Sequence, residues 1–387
     1  MDVEERSAVV VGAGIGGLAA ALALRRAGWT VVVHERSPGR EKTGAALTLW
    51  PNAVRALHAL GLADGLRARA SALDGSGVRR PDGRWLSRTS GEQVIARHGL
   101  PQVAIVRADL IDLLASALPS GCVRWGAAVT DVDPGGPDRR AGVRCGDRLA
   151  EADLVVAADG VHSRVRRTLW PDHPPAERRG YVAWRALVHA STGPASETWG
   201  RGERFGIVPV GENLVYVYAT ANTAALEPSV DELRSRFGNW HAPIPALLDA
   251  ITPGDLMRHD IMALHPPLRR LFHGRVTLLG DAAHAMEPNL GQGAGLAVED
   301  AVVLAYAVTG ASSVAAGLAA YDRARAVRVA RLARQSRLLG RLTQSPSAAV
   351  TTLRDATTRL IPDRFALRGF DAAAGWHPPV PVLQEPR

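Results

Sequence analysis

Hydrophobic positions along the chain follow two different rhythms. At 7–12, 30–34, 152–158 and 275–279, apolar residues run without alternation and stop at glycine or an acid, the pattern of buried parallel strands. Helix-period segments at 16–27, 51–60, 108–117 and 296–308 are placed to cover such a sheet. Between about 176 and 269 the rhythm changes to short β-rich runs, at 181–190, 197–201, 204–210 and 213–220, which predict an antiparallel sheet. A smaller piece, 73–98, with Gly75, Gly77 and Pro81-Asp82-Gly83, reads as strands and turns that join it. The expected fold is α/β: a discontinuous parallel-sheet domain (1–72, 99–175 and 270–345) with an inserted antiparallel β-sheet domain (73–98 and 176–269). A C-terminal helix and irregular tail follow over 346–387.

Three of the buried strands end in glycine-rich or acidic turns. The first runs into Gly12-Ala13-Gly14-Ile15-Gly16-Gly17 and then a helix, a second strand and Glu35. In this strand–GxGxxG–helix–strand–acid unit Gly12 turns the chain, Gly14 lets a pyrophosphate approach, Gly17 permits tight helix packing, and the acid binds ribose hydroxyls. The strand at 152–158 ends in Asp159-Gly160. The stretch 280–300, GDAAHAMEPNLGQGAGLAVED, leaves Gly280, Gly291, Gly293 and Gly295 as bare backbone where a flat cofactor can come close, with Asp281 offering a carboxylate. The helix that begins there aims its positive end at the same place.

In this order and spacing the segments resemble the single-component (class A) FAD-dependent aromatic monooxygenases, the group with the p-hydroxybenzoate hydroxylase-like fold. The matching pieces are Gly12–Gly17 with Glu35 and Arg36, GAALTLWPNA at 44–53, Arg107, ADGVHSRVR at 158–166, and GDAAHAMEPNLGQGAG at 280–295. The resemblance implies a GR2-type Rossmann-like FAD-binding domain. Within it Gly12, Gly14, Ile15, Gly17, Glu35, Arg36, Arg107, Asp159, Gly280, Asp281, Gly291, Gly293 and Ala294 would hold bound FAD. It further implies NADPH or NADH as a transient co-substrate, because a single dinucleotide fold is present, and O2 activated as a flavin C4a-hydroperoxide. Pro288 matches a family proline beside the oxygen-transfer locus, and a helix-entry proline explains it equally. Ala46 stands where glycine is common and Glu287 where apolar residues are, and either could alter substrate choice. His284 reads as structural.

Alternation in the strand at 181–189 puts Val182, Trp184, Ala186 and Val188 on one face and Tyr181, Arg185 and His189 on the other. In 214–220, Tyr216 and Tyr218 oppose Val215 and Val217. With the polar faces toward the cofactor, Arg185, Tyr216 and Tyr218 line a pocket for an aromatic substrate. Arg185 would hold a carboxylate, phenolate or carbonyl, and a tyrosine would assist deprotonation of a phenol. A solvent-facing arginine and ordinary cross-strand tyrosines are the plainer reading.

Bulk properties are those of an ordinary two-domain protein of 387 residues, 47% of them hydrophobic. No apolar run approaches the ~18–20 residues that span a bilayer, and no signal peptide precedes the first strand, so a cytoplasmic protein without membrane partners is expected. Cys122 and Cys145 support neither a disulfide framework nor a thiolate site, and the 12 histidines show no ligand spacing, so no metal is expected. The net charge is +8 with Lys42 the single lysine. Arg323, Arg325, Arg328, Arg331, Arg334, Arg337 and Arg341 step along one predicted helix. Without aromatic residues among them, an ion-paired or solvated face is expected rather than nucleic-acid binding. The oligomeric state is open between monomer and homodimer. Two alternatives remain at this point: a flavin-dependent halogenase, whose WxWxIP segment and lysine are missing here, and a cyclase or binding protein that keeps FAD without oxidising anything.

Overall fold

The computed structural model describes residues 6–40, 45–223, 227–362 and 367–379. The unalternating apolar runs form one six-stranded sheet in the order Phe272–His273, Val276–Leu278, Leu154–Ala157, Ser7–Val11, Thr30–His34, Val123–Arg124. Every neighbouring pair is parallel except the first. Val10, Val33, Leu154, Val155, Val156 and Leu278 are wholly buried, so neither face of these strands needs polar residues. Helices Ile15–Arg26 and Gly293–Gly310 close over this sheet in a single core. A three-stranded antiparallel sheet (Asp131–Asp133, Ala141–Cys145, Arg148–Ala152) adds Val132, Ala141, Val143 and Ala152 to the same core.

The alternating runs build a seven-stranded sheet in the order Met257–Ala263, Glu177–His189, Leu214–Ala221, Glu203–Pro209, Ala195–Trp199, Gly75–Arg79, Trp85–Ser90. The strands from 75–90 enter it through a parallel pairing of Gly75–Arg79 with Ala195–Trp199. One face, with Val182, Trp184, Ala186, Val188, Phe205, Ile207, Val215 and Val217, is covered by helices Val230–Phe237 and Ile244–Asp249. The opposite face, with Tyr216, Leu187, Tyr218 and Met257, packs on Ala45, Ala46 and Ala104 of a small sheet formed by Ala46–Leu49, Val103–Val106 and Ser71–Ala72.

Several expectations need correction. Residues 91–98 are the helix Gly91–His98, not strands and turns: Ser90 and Gln93 form a capping box, and Gly99 ends the helix in a left-handed conformation. The region 176–269 carries the two covering helices as well as strands. Gly293–Gly310, at 18 residues, is long and apolar enough to cross a membrane, contrary to the sequence reading, but two-thirds of it is buried inside the protein and it contains the buried acids Glu299 and Asp300. It is a core helix.

The arginine-rich segment is a 30-residue helix, Val314–Thr343, on which Arg325 is fully buried while Arg323, Arg331, Arg334 and Arg341 are exposed. Helix Ala348–Leu360 follows. The chain then returns to the first domain: Phe370 stacks on Trp50 at 4.6 Å between ring centroids, and Arg97 pairs with Asp371. Pro378 and Pro379 have no regular structure, and 380–387 of the expected irregular tail lie outside the described residues.

Candidate active site

Packing at the carboxyl ends of the parallel strands brings the three sequence motifs together. A Cβ on Gly12 (φ +101°) would lie 2.5 Å from the Ala158 carbonyl oxygen, one on Gly17 1.9 Å from the Gly12 oxygen, and one on Gly16 2.8 Å from Leu279. Gly12 and Gly17 are needed for closeness of backbone to backbone, and Gly16 for packing against the Leu279 and Ala297 side chains. Gly14 differs, because its Cβ would meet nothing within 4 Å. Its open side is where the fingerprint expects a phosphate. The side chain of Ile15 is buried in the core, so only its backbone can face a ligand. Glu35 accepts from the Ala13 N–H at 2.7 Å and the Ser37 N–H at 2.8 Å, which fixes its carboxylate at the edge of the turn. Arg36 beside it is exposed. Asp159 accepts from the Arg164 and Val165 N–H groups and so caps helix Arg164–Leu169, with its other oxygen buried and unpartnered.

Serine side chains cap five helices, at Ser90, Ser163, Ser229, Ser313 and Ser347. The helices starting at Ile15 and Gly293 have no side-chain cap and no acid in the first turn. Their free N–H groups, the open Gly14, and the exposed carboxylate of Asp281 fit the pyrophosphate and sugar of a bound FAD. Gln292, placed to cap the second helix, instead accepts from Asn52 at 2.8 Å. Pro288 opens the short turn Pro288–Leu290 with its ring exposed, and Gly291 follows at φ +61°.

Behind this loop lie two buried polar clusters that sequence reasoning missed. In the first, Arg325 donates to Asp300 at 2.6 Å and to Glu299 at 2.8 Å, Arg328 holds Glu299 with two bonds, and Asp300 also takes the Gly280 N–H and meets His284 Nε2 at 2.6 Å. Burial raises the Asp300 pKa, but His284, Arg325 and the Gly280 N–H outweigh it and leave the carboxyl well below its usual range. His284 is thus part of the scaffold. In the second, Glu287 is buried and accepts from Arg179 at 3.0 Å, Tyr181 at 3.2 Å and Asn289 at 3.1 Å. Arg204 joins Asn289, Gln344, Thr220 and Glu197. The charge of Glu287 is therefore consumed inside the protein. The one available signal was an acid preceding Pro288 in an otherwise apolar run.

Strand register sets the face opposite the cofactor motifs. Glu197, Gly206, Tyr218, Arg185 and Met257 lie in one cross-strand row, with Val208, Tyr216 and Leu187 in a row on one side and Trp199, Arg204, Thr220, Ala183 and His259 in the row on the other. Gly206 makes room for the Tyr218 ring: a Cβ there would sit 2.0 Å from Cε1. Tyr218 thereby lies beside Glu197, and Arg185 lies beside the Tyr216 hydroxyl. Arg107, which follows strand Val103–Val106 and donates its backbone N–H to Ala45, also faces Tyr216. Ala46 is buried in the same cluster. Burial pushes both tyrosines upward, Tyr218 well above its ordinary value, so each is an O–H donor at neutral pH. As donors they can hydrogen-bond a substrate oxygen. Of the predicted pocket residues, Arg185, Tyr216 and Tyr218 share a face, and His189 is exposed at the strand end.

Comparison with known proteins agrees with this fold. Residues 5–336 match the family described as FAD binding domain. The chain is 37% identical over 364 residues to the aurachin C monooxygenase/isomerase of Stigmatella aurantiaca, covering 91% of this chain and 94% of that protein. It is 36% identical over 387 residues to a 3-amino-4-hydroxybenzoate 2-monooxygenase of Streptomyces platensis, covering 94% and 96%. The structure of Klebsiella pneumoniae HpxO complexed with FAD and uric acid superimposes with a TM-score of 0.90 at 30% identity, covering 97% of this chain and 98% of that one. The chain belongs to this FAD-binding family and is an FAD-dependent monooxygenase. The halogenase alternative is set aside, because the relatives are monooxygenases.

Proposed function

We propose that the chain consumes NAD(P)H and O2 to place one oxygen atom on a small aromatic or heteroaromatic molecule lying between the cofactor loop and the Tyr216 face. The observation that carries this reading is the arrangement of Arg185, Tyr216 and Tyr218 on a sheet face that looks onto Ala45, Ala46 and Arg107. The compounds named for the relatives are aurachin C, 3-amino-4-hydroxybenzoate and, in the solved structure, uric acid.

Bound FAD supplies electron transfer and oxygen activation, and the polypeptide orients the ring and excludes water. Gly12, Gly14, Gly17, Glu35, Asp159, Gly280 and Asp281 hold the nucleotide end. Arg107, Gly291, Gly293 and Ala294 bound the redox end, where the helix start stabilises negative charge by about 0.5–2 kcal/mol. Arg185 and Tyr216 bind the substrate's polar group, Tyr218 walls the pocket, and Pro288 shapes the approach of oxygen. Residues 73–98 and 176–269 serve as the substrate-binding body, and 1–72, 99–175 and 270–345 as the FAD-binding body. NAD(P)H visits without a dinucleotide fold of its own.

The test is a screen of hydroxylated aromatic and heteroaromatic compounds for faster NAD(P)H oxidation by the FAD-loaded protein, followed by mass measurement of product formed under labelled dioxygen. A mass gain of one labelled oxygen supports the reading. Bound FAD with no compound-stimulated oxidation, or oxidation that releases only hydrogen peroxide for every compound, rejects it.

A further inference from the structure

The turn Pro288–Leu290, on the loop that leads to Gly291 and Gly293, is held by groups from two strands and a helix that meet around one carboxylate. Glu287, buried just before the turn, accepts from Arg179 Nε at 3.0 Å through one oxygen, and from the Tyr181 hydroxyl at 3.2 Å and Asn289 Nδ2 at 3.1 Å through the other. Its backbone carbonyl accepts from Ser336 Oγ at 2.5 Å, and Asn289 Nδ2 also donates to the Ser336 carbonyl at 2.9 Å. Asn289 Oδ1 takes a bond from Arg204 at 2.8 Å. Burial holds the Tyr181 hydroxyl far above its ordinary pKa, so it stays a donor.

The long helix Val314–Thr343 leaves room for this arrangement: a Cβ on Gly340 would collide with both Glu287 Oε2 and Asn289 Nδ2. Glycine inside a helix is otherwise disfavoured, and here the carboxylate fills the space of its missing side chain. Arg179 and Tyr181 stand two residues apart on strand Glu177–His189, on the face that further along carries Ala183 and Arg185. Tyr181 and Arg185 are four residues apart, about 13 Å along a strand. Arg204 lies in the cross-strand row next to that of Tyr218 and Arg185. One strand therefore reaches both places, with Arg185 at the pocket and Arg179 and Tyr181 at the loop.

We propose that Glu287 is a positioning residue: it ties the Pro288 turn to the substrate sheet and so keeps the cofactor loop at a fixed distance from the ring held at Arg185 and Tyr216. This rests on the monooxygenase reading above. Coupled turnover takes NAD(P)H, a proton, O2 and substrate to NAD(P)+, water and the oxygenated product. When the ring is misplaced, the same two electrons and two protons leave on O2 as hydrogen peroxide, and the substrate is unchanged. Oxygen transfer demands close alignment, where an error of about 1 Å costs about 100-fold, whereas peroxide release demands none. The tie therefore acts on the partition between product and peroxide, and not on FAD binding or on the oxidation of NAD(P)H.

The tie is measured in FAD-loaded protein without NAD(P)H. Glu287→Gln removes the charge, and Arg179→Gln, whose side chain is 19% exposed, breaks the same bond from the sheet. Hydrogen exchange read by mass spectrometry should show the backbone amides of 286–292 exchanging about tenfold faster in both, with strand Leu154–Ala157 unchanged. In turnover with a compound from the screen, peroxide released per NAD(P)H should rise at least about threefold in each variant, while FAD content and the rate of NAD(P)H oxidation stay within about twofold. The double variant should be no worse than the worse single one, because both break one interaction. A purely structural role would lower stability and FAD content together and leave the product-to-peroxide ratio of the loaded molecules unchanged. Unchanged loop exchange in the folded variants, an unchanged ratio, or additive peroxide release in the double variant overturns the assignment. Should a single variant not fold, Glu287→Leu combined with Arg179→Leu, which leaves neither charge without its partner, takes the same exchange and peroxide measurements. If no compound stimulates NAD(P)H oxidation in the wild type, the monooxygenase reading fails, while faster loop exchange in the variants still supports the tie.

Discussion

Tyr216 and Arg185 show how far a single residue can be read. Alternation assigned both to the face away from Trp184, and register places them there. The chemical role of the tyrosine depended on burial, which alternation does not measure. A buried phenol keeps its proton, so Tyr216→Phe removes a hydrogen-bond donor and not a base. The expected loss is about 1–2 kcal/mol in kcat/KM, roughly 5–30-fold, with little change in the shape of the pH profile. Arg185→Ala should cost more, about 2–3 kcal/mol or roughly 30–150-fold, because the lost bond is charge-assisted. Steady-state kinetics on the compound found by screening checks both, and full FAD content in each variant separates pocket from cofactor effects. Glu197, Arg204 and Asn289 were illegible as a set. Each looks like an ordinary polar residue, and only folding places Arg204 against an asparagine 85 positions away.

At the scale of elements, the glycine-rich turns were the most readable feature, since a strand, a turn with φ above zero and a helix each leave a local trace. The structure separates two kinds of glycine within one motif. Gly17→Ala would drive a methyl into the Gly12 carbonyl and should unfold the turn, lowering the melting temperature and FAD content together. Gly14→Ala has space in the protein itself. It should fold with normal stability yet bind FAD at least tenfold more weakly, as flavin fluorescence titration would show. Equal FAD affinity in Gly14→Ala would mean that the cofactor phosphate does not approach there.

The Gly293–Gly310 helix carries a second element-scale prediction. Its Asp300 is held in the charged form by Arg325, so Asp300→Asn leaves a buried guanidinium short of a partner and should cost about 3–5 kcal/mol of stability. Because the folded pKa is depressed, this contribution is fully present above the unfolded value of about 3.9. It drains as the pH falls through the lower folded value. Denaturant unfolding of both proteins from pH 7 downward should therefore show a constant gap that narrows only below about pH 4. Helix periodicity found this helix, but it did not show that Glu299 and Asp300 are buried against Arg325 of the long arginine helix.

For the whole molecule, the proposed FAD site draws on segments near both ends of the sequence, so cofactor binding and folding should be linked. FAD at 100 times its dissociation constant should add about 2.7 kcal/mol, seen as a melting temperature that rises with added FAD. A melting temperature indifferent to FAD would contradict a site shared by residues 12–35 and 280–294. The C-terminal return, with Phe370 on Trp50 and Arg328 donating to Ala372 and Ala373, also belongs to this scale. No sequence pattern announced it, since a four-residue helix has too few positions to show a period.

Local sequence alone determined the buried parallel strands, the dinucleotide-fingerprint turn and the two-faced strands of the antiparallel sheet, because backbone sterics and hydrophobic periodicity act over a few neighbouring residues; the cofactor class followed from the resemblance of the motifs taken together. Tertiary structure alone decided which charges are spent and which remain available. Glu287, Glu299, Asp300 and Arg325 disappear into buried pairs, while Arg185 and Arg107 have no ion pair with a described carboxylate. The physical reason is that a side chain's charge state and partners depend on desolvation and on groups brought in from distant parts of the chain.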